Sequence, residues 1–220
     1  MTPTLLLDLD GTLIDTVPDL MAALNRLMAA RGLAGFAPAE TAAMVGEGVA
    51  KLVERACLAR RRTVTAEDVA EFSADYAAHA AVASRPYPGV AETLATLRGE
   101  GWRLAVCTNK PEAPARALLA AFGLEPLFAA VGGGDSFPVR KPDPRHMLAT
   151  LAAAGGSAPC AIAVGDHAND VQAAAGAGLP CIFAAWGYGG NDMANGAAAI
   201  ARTFAEVPGL ARQVAAHRSA

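Results

Sequence analysis

The sequence predicts an α/β protein with a parallel sheet, helices on both faces of that sheet, and a small helical insert. Leu5-Leu6-Leu7 is a continuous apolar run that ends on Asp8, which is typical of a strand covered by helices on both faces. Residues 17–84 carry helical patterns without a convincing strand. From Val90 onward helices and strands alternate, which indicates right-handed βαβ units.

Length and composition bound the class of protein. At 220 residues the chain exceeds a typical domain of about 100 to 150 residues, so we expect a large core with an insert. The net charge is −3 and the longest basic run is Arg60-Arg61-Arg62, which argues against a nucleic-acid partner. The cysteines are widely spaced without Cys-x-x-Cys, so neither a zinc knuckle nor a disulfide framework is indicated. They are Cys57, Cys107, Cys160 and Cys181.

We expect neither a targeting signal nor a membrane span in this chain. Met1-Thr2-Pro3-Thr4 has no basic residue and Asp8 interrupts the following apolar run, unlike a signal peptide. No apolar segment approaches the about 18 to 20 residues that span a bilayer. We therefore expect a cytoplasmic monomer or homodimer with buried, reduced thiols and no membrane partner.

The insert is expected to begin with a helix from Val17 to about Arg31, because Pro18 suits the first turn and Gly32 lies just past its end. Further helices are expected at about 38–44, 49–60 and 66–82, and Arg85-Pro86-Tyr87-Pro88-Gly89 reads as a linker. We predict a helical domain at 17–84 and an α/β core at 1–16 and 85–220.

The second half of the chain reads as alternating elements. The expected helices are 90–98, 112–121, 144–154 and 169–177. The expected strands are 103–107, 128–131, 161–164 and 180–184.

The first strand ends in a pair of acids. If the strand continues past Asp8, Asp8 and Asp10 lie on one side of it, because alternate residues share a face. Two carboxylates held this close disfavour double ionisation unless a cation or proton intervenes. Gly11 permits a turn and Thr12 adds a hydroxyl. The stretch therefore indicates a site for a hard cation and an anionic substrate.

Three later segments bring polar groups to the same edge of the sheet, where open α/β folds bind ligands. Thr108 and Asn109 precede a helix whose free N–H groups favour anions. Lys141 stands between a glycine-rich loop and prolines, and can act as a point charge for phosphate. Asp166 and Asp170 form a second acid pair. Magnesium takes oxygen ligands, and one or two carboxylates plus a substrate phosphate suit it, with Asp8 and Asp166 as the natural carboxylates.

The order of these motifs resembles the haloacid dehalogenase superfamily over nearly the whole chain. The matching motifs are Asp8-x-Asp10-Gly11-Thr12, the strand ending in Thr108, Lys141-Pro142-x-Pro144, and Gly165-Asp166-x-x-x-Asp170. The resemblance implies a Rossmann-like core, with 17–84 as the α-helical cap of that family.

The same resemblance implies roles for the motif residues. Asp8 is then the nucleophile that forms a phosphoaspartate, and Asp10 the general acid and base. Thr108 and Lys141 bind the phosphoryl group. Mg²⁺ is held by Asp8, the Asp10 backbone carbonyl and Asp166, with Asp170 in support.

Asp10 favours phosphate monoester hydrolysis within the superfamily, because dehalogenases and phosphonate-cleaving members lack an acid there. A finer resemblance to phosphoglycolate phosphatases implies a small phosphorylated metabolite as substrate, foremost 2-phosphoglycolate. The segments on which this finer resemblance rests include Asp15 to Leu20, Val45 to Val49, Thr108 to Pro111, Gly133 to Ser136 and Trp186 to Gly189.

Specificity in such proteins is set by the cap loop, so Gly46, Glu47 and Gly48 are candidate substrate-binding residues beside Thr12 and Asn109. Lys51 and Arg55 share a helix face and are candidates to meet a substrate carboxylate.

Alternative activities stay open at this point. They are a sugar-phosphate or nucleotide phosphatase, a pyrophosphatase, and a β-phosphoglucomutase-like phosphotransferase. A non-catalytic metal- or phosphate-binding module is the alternative from another class. His167 is expected on the surface and His146 on a helix face. Trp186 and Tyr188 are expected beside the site or at a subunit contact.

Overall fold

A computed structural model describes residues 2–219; residues 1 and 220, the outer limits of the predicted core, lie outside them. Six strands form a parallel sheet: β1 (Thr4–Leu7), β4 (Arg103–Cys107), β5 (Ala130–Gly132), β6 (Ala161–Gly165), β7 (Cys181–Ala184) and β8 (Ala199–Ala201). Their order is β5-β4-β1-β6-β7-β8. The chain leaves β1 in both directions across the sheet, so the strand order reverses at β1 and its neighbours.

Alternate residues of the central strands pack on opposite faces of the sheet, as the pleat requires. Leu5 and Leu7 contribute to one buried cluster, whereas Leu6 contributes to the other. The first cluster lies against α5 (Val90–Gly99), α6 (Glu112–Ala121) and α9 (Val207–Ser219), and the second against α7 (Pro144–Ala153) and α8 (Ala168–Gly176). The predicted fold class, a parallel sheet with helices on both faces, is confirmed.

Four helices lie between the first and second parts of the core: α1 (Val17–Ala30), α2 (Pro38–Ala42), α3 (Val49–Ala59) and α4 (Ala66–His79). They enclose a third buried cluster of their own, built around Leu24, Leu52 and Phe72. This separate core is what an inserted domain needs, and the division at 17–84 stays a prediction.

A two-stranded antiparallel ribbon joins the ends of this insert, and the sequence did not predict it. β2 (Ile14–Asp15) pairs with β3 (Arg85–Pro86). Each strand has only two residues, too few for a period-2 pattern to be visible. The first two residues of the linker expected at 85–89 therefore form one strand of the ribbon that connects the insert to the core.

Other boundaries also differ from the expectations. β1 ends at Leu7, so Asp8 and Asp10 do not lie on one continuous strand; the turn that follows is made by Gly11 with φ of 83°. β5 begins two residues later than expected, because a 3₁₀ helix at Glu125–Leu127 takes up the preceding chain. β8 and α9 were not predicted.

The arginine run at the end of α3 is not a simple solvated helix end. Arg62 pairs with the buried Asp68 at 2.5 Å, and Arg60 stacks over the Phe36 ring. The guanidinium of Arg62 holds the pKa of the Asp68 carboxyl well below its usual range. Within residues 2–219, no helix is long and apolar enough to cross a membrane.

Candidate active site

The predicted site residues follow the carboxyl ends of the three central strands. Asp8 comes directly after β1, Thr108 directly after β4 and Asp166 directly after β6. These strands are neighbours in the sheet, and the strand order reverses here, which is where open α/β sheets bind ligands. The sequence motifs are therefore brought together by the sheet itself.

Three aspartates form a compact acidic cluster at this edge. One oxygen from each of Asp8, Asp166 and Asp170 lies within 4.8 Å of the others. Burial, together with the charges of Asp8 and Asp170, raises the pKa of Asp166 to about 8. Three carboxylates this close repel each other unless a positive charge lies among them.

The cluster fits a divalent cation. All its donors are carboxylate oxygens, which hard cations prefer. Asp8 Oδ1 is buried, and the contact that the described residues make with it is the ion pair with Lys141 at 2.9 Å, so this carboxylate keeps lone pairs to offer an ion. Asp8, Asp166 and Asp170 could thus hold a metal.

Two donors hold Asp166 in place. Thr12 Oγ1 donates to Asp166 Oδ1 at 2.9 Å, and the backbone N–H of Tyr188 donates to Oδ2 at 2.8 Å. A Cβ at Gly11 would lie 2.4 Å from Asp166 Oδ2, so only glycine fits there. Thr12, a candidate for substrate binding, uses its hydroxyl on this carboxylate.

Lys141 supplies positive charge to the same cluster. Its Nζ lies 2.9 Å from Asp8 Oδ1 and 2.6 Å from Asp170 Oδ1, and donates to the carbonyl of Cys107 at 2.6 Å. Burial alone would lower the pKa of Lys141, but the charges of Asp170 and Asp8 outweigh it and raise the pKa above its ordinary value. Lys141 therefore stays an ammonium beside Asp8.

A buried histidine supports the Lys141 backbone, which the sequence analysis missed when it placed His146 on a helix face. His146 is fully buried. Its Nδ1 accepts from the Lys141 N–H at 3.2 Å, and its Nε2 lies 3.0 Å from the Gly133 carbonyl. A proton on Nε2 satisfies both contacts, so the neutral ring fits this pocket.

Asp10 has a different partner from Asp8. The Nζ of Lys110 lies 3.1 Å from Asp10 Oδ1 and donates to the hydroxyl of Tyr76 at 2.9 Å. Tyr76 belongs to α4, so this lysine links the core to the insert. Sequence reasoning did not name Lys110 as a site residue, although it follows Thr108 by two positions at the end of a strand.

The loop before α3 closes over the site and is held by core amides. The Gly46 carbonyl accepts from Asn109 Nδ2 at 2.9 Å and from Asn169 Nδ2 at 3.2 Å. Gly46 has φ of 121°, and a Cβ there would lie 2.8 Å from His167. His167, expected on the surface, is half-buried against this loop, and its Nδ1 caps α8 by accepting from the Asn169 N–H.

Other candidates are placed away from the cavity. Glu47 pairs with Arg55, and the exposed Lys51 pairs with Glu54 at 3.0 Å. The first N–H of α6, expected to face an anion, donates instead to the Asp135 carboxylate at 2.7 Å.

A small cavity lies between the core and the insert, and residues of both parts line it. It has a volume of about 40 Å³, and its walls include Asp8, Asp10, Thr108, Asn109, Lys110, Gly46 and Gly48 with the apolar Leu20, Val45, Val49 and Leu52. Two carboxylates, one lysine and a threonine around so small a space, with Lys141 beside Asp8, suit an anion with an attached small group. Trp186 and Tyr188 lie beside this region: the Trp186 indole donates to the Thr12 carbonyl, and the Tyr188 hydroxyl donates to Asp15.

Comparisons with known proteins agree with this arrangement. A model of the haloacid dehalogenase-like hydrolases matches residues 2–178. A phosphoglycolate phosphatase of Mesorhizobium japonicum is 45% identical over 176 residues, which are 77% of this chain and 76% of its own. A phosphoglycolate phosphatase of Caulobacter vibrioides is 40% identical over 210 residues, which are 93% of this chain and 89% of that protein. The crystal structure of a predicted phosphoglycolate phosphatase from Haemophilus somnus 129PT has a TM-score of 0.88 at 30% identity, and covers 95% of this chain and 97% of its own.

Proposed function

Since the chain belongs to the haloacid dehalogenase-like hydrolases and is a phosphoric monoester hydrolase of small phosphorylated compounds, we propose that it hydrolyses 2-phosphoglycolate to glycolate and phosphate with Mg²⁺. Two relatives with at least 40% identity carry that activity in their names, one of them over 93% of the chain.

The proposed reaction has two steps, both centred on Asp8. In the first, a carboxylate oxygen of Asp8 forms a bond to phosphorus as the bond from phosphorus to the ester oxygen breaks. Asp10 gives its proton to the departing alkoxide. In the second, water attacks the phosphorus of the phosphoaspartate, Asp10 takes a proton from that water, and Asp8 leaves as a carboxylate. Such covalent catalysis divides one difficult transfer into two easier ones.

The surrounding residues stabilise the charge that moves in these steps. Lys141 lies 2.9 Å from Asp8, where it can neutralise oxygens of the transferring group. The Thr108 hydroxyl lies in the cavity wall beside Asp8 and can donate to the same group. When bound by Asp8 and Asp166, Mg²⁺ would add Lewis-acid stabilisation of the phosphoryl oxygens.

One observation carries the proposal: Asp8 lies beside Lys141 and the acids Asp166 and Asp170, and it lines the same cavity as Asp10, two residues later. A nucleophile, a cation, a metal-binding cluster and an acid–base group then surround one point. The small volume of the cavity, about 40 Å³, favours a small ester.

A kinetic panel tests this function. We expect Mg²⁺-dependent kcat/KM for 2-phosphoglycolate to exceed that for p-nitrophenyl phosphate, glucose 6-phosphate and pyrophosphate by at least about 100-fold. Asp8→Asn is the inactive reference, and Asp192→Asn, an exposed aspartate, is its matched control. Equal rates on all esters would contradict the substrate, and no hydrolysis of any ester would contradict the reaction.

A further inference from the structure

We propose that Lys110 is the residue that selects the substrate, by binding a carboxylate carried on the leaving group one carbon away from the ester oxygen. This inference rests on the proposed function and assigns its specificity to one side chain of the core. It replaces Lys51 and Arg55 of the insert, which the sequence favoured for that contact.

Lys110 is a buried charge in the wall of the cavity. Its side chain is only 3% exposed, and a buried ammonium is costly unless its surroundings compensate it. Asp10 provides one compensating charge at 3.1 Å and Tyr76 a neutral oxygen at 2.9 Å. The aromatic face of Tyr76 lies 4.4 Å from the same ammonium.

The ammonium has three N–H groups and two neighbouring side chains that accept from them. The acceptor atoms that the described residues offer are the Tyr76 hydroxyl at 2.9 Å, Asp10 Oδ1 at 3.1 Å and Asp10 Oδ2 at 3.4 Å. The contact with Asp10 Oδ2 is longer than an ordinary N–H···O hydrogen bond, so the N–H that makes it can turn to a ligand in the cavity that Lys110 lines.

The position of Lys110 matches a carboxylate close to the reacting bond. A general acid lies about 2.6 to 3.2 Å from the atom that it protonates, so the ester oxygen of the substrate belongs beside Asp10. The ammonium is itself 3.1 Å from Asp10 Oδ1. A carboxylate attached to the carbon next to that oxygen comes within reach of Lys110. The other walls of the cavity include the apolar Leu20, Val49 and Leu52, which offer no charge to a carboxylate held farther from Asp10.

Among the described residues that line the cavity, Lys110 is the only cation. Lys141 is not among these lining residues, and its ammonium pairs with the carboxylates of Asp8 and Asp170. Lys51 is 40% exposed and paired with Glu54, and Arg55 is paired with Glu47. A second negative group on the substrate has no other positive partner here.

The test compares two esters that differ only in the carboxylate: 2-phosphoglycolate and ethyl phosphate. For the wild-type protein with Mg²⁺ we expect the ratio of their kcat/KM values to exceed about 100. Lys110→Met, which keeps length and removes charge, should lower this ratio at least about 30-fold, since truncating one partner of a buried charge pair costs this much or more. Lys51→Met is the matched control and should leave the ratio within twofold.

Lys110→Arg extends the test in case Lys110→Met does not fold, because it keeps the charge. It should retain a ratio above about 10. Wild-type kcat/KM should also be lower for 3-phosphonooxypropionate, one carbon longer, than for 2-phosphoglycolate.

The outcomes separate this inference from the function on which it rests. Equal losses on both esters in Lys110→Met, or an unchanged ratio, would overturn the role of Lys110 while the phosphatase stands. A wild-type ratio near 1 would overturn the carboxylate specificity, and a wild-type protein that hydrolyses neither ester would overturn both proposals.

Discussion

At the scale of single residues, His146 shows how a buried titratable group is tied to the site. Its ring is enclosed by Lys141, Gly133 and the Cys107 thiol. Burial, and then the charge of Lys141, lower the pKa of His146 to about 4, against weaker opposing effects of Asp8 and Asp143. The folded protein therefore holds a neutral ring, whereas an unfolded chain protonates it near pH 6.5.

This difference predicts a pH dependence of stability. Because the pKa is lower in the folded state, the unfolded state gains protons first, and stability falls as pH decreases from about 6.5 toward 4. Between pH 7.5 and 4.5 we expect His146 to account for a loss of roughly 2 to 3 kcal/mol. Urea unfolding at several pH values, without metal, measures it.

The matched variants isolate the effect. His146→Gln should show a shallower fall in unfolding free energy over this range than the wild-type protein, while His79→Gln, at an exposed site, should parallel the wild type. Parallel curves for His146→Gln and the wild type would contradict a neutral His146.

The sequence indicated Asp8 and Asp166 because each follows an apolar run at a strand end, and Lys141 because it stands between a glycine-rich loop and prolines. Both patterns are local. The sequence did not predict His146, Lys110 or the Tyr188 N–H as parts of the site. Their roles arise from contacts 5 to 100 residues apart along the chain, and no local pattern distinguishes a buried histidine or lysine from an exposed one.

At the scale of elements, the loop before α3 joins the insert to the core through one carbonyl. Two side-chain amides donate to Gly46 O: Asn109, which follows β4, and Asn169, in the first turn of α8. The backbone of Gly46 also presses against His167. The loop can approach the site this closely only because residue 46 has no Cβ.

We therefore predict that Gly46→Ala impairs catalysis. The new methyl group meets His167 at 2.8 Å at a backbone φ of 121°, so the loop must withdraw from the site. A misplacement of about 1 Å can reduce a rate by about 100-fold, and we expect kcat/KM to fall at least about tenfold.

Gly32→Ala is the matched control, since Gly32 also has positive φ but no atom within 4 Å of the new Cβ. It should lower the melting temperature while kcat/KM stays within twofold. Similar kcat/KM values for Gly46→Ala and Gly32→Ala would show that catalysis does not depend on the position of the loop before α3.

The longer helices and central strands were predicted well because their periodicity extends over several residues; β4 and α6 match the expected bounds. β2 and β3 are too short to carry a pattern. At the expected anion site at the start of α6, the first N–H donates to Asp135, which lies 23 residues away in the sequence; no local pattern shows this contact.

At the scale of the whole molecule, four segments of chain converge on one acidic cluster whose charge is only partly balanced by Lys141. A divalent ion that binds the folded state alone stabilises it by about 2.7 kcal/mol at 100 times its dissociation constant. We predict that MgCl₂ raises the melting temperature of the wild-type protein relative to NaCl of equal ionic strength. Chelation should abolish hydrolysis.

Asp166→Asn is the variant that tests the location of the ion. It should fold but lose most of the Mg²⁺-dependent rise in melting temperature, whereas Asp192→Asn should keep it. An equal rise in Asp166→Asn would place the ion elsewhere.

The global architecture was predictable because alternating helices and strands admit few arrangements, and the resemblance supplied the rest of the expectation. The particular contacts between the insert and the core were not predictable, since they join side chains such as Tyr76 and Lys110 that lie 34 residues apart in the sequence.

The central claim is that Asp8 accepts the phosphoryl group. Acid quenching during turnover of 2-phosphoglycolate with Mg²⁺, followed by borohydride reduction and peptide mass spectrometry, tests it directly, because reduction converts an aspartyl phosphate to homoserine. The account predicts homoserine at position 8 in the wild-type protein and none in Asp8→Asn. Homoserine at another aspartate, or at none while phosphate is released, would contradict it.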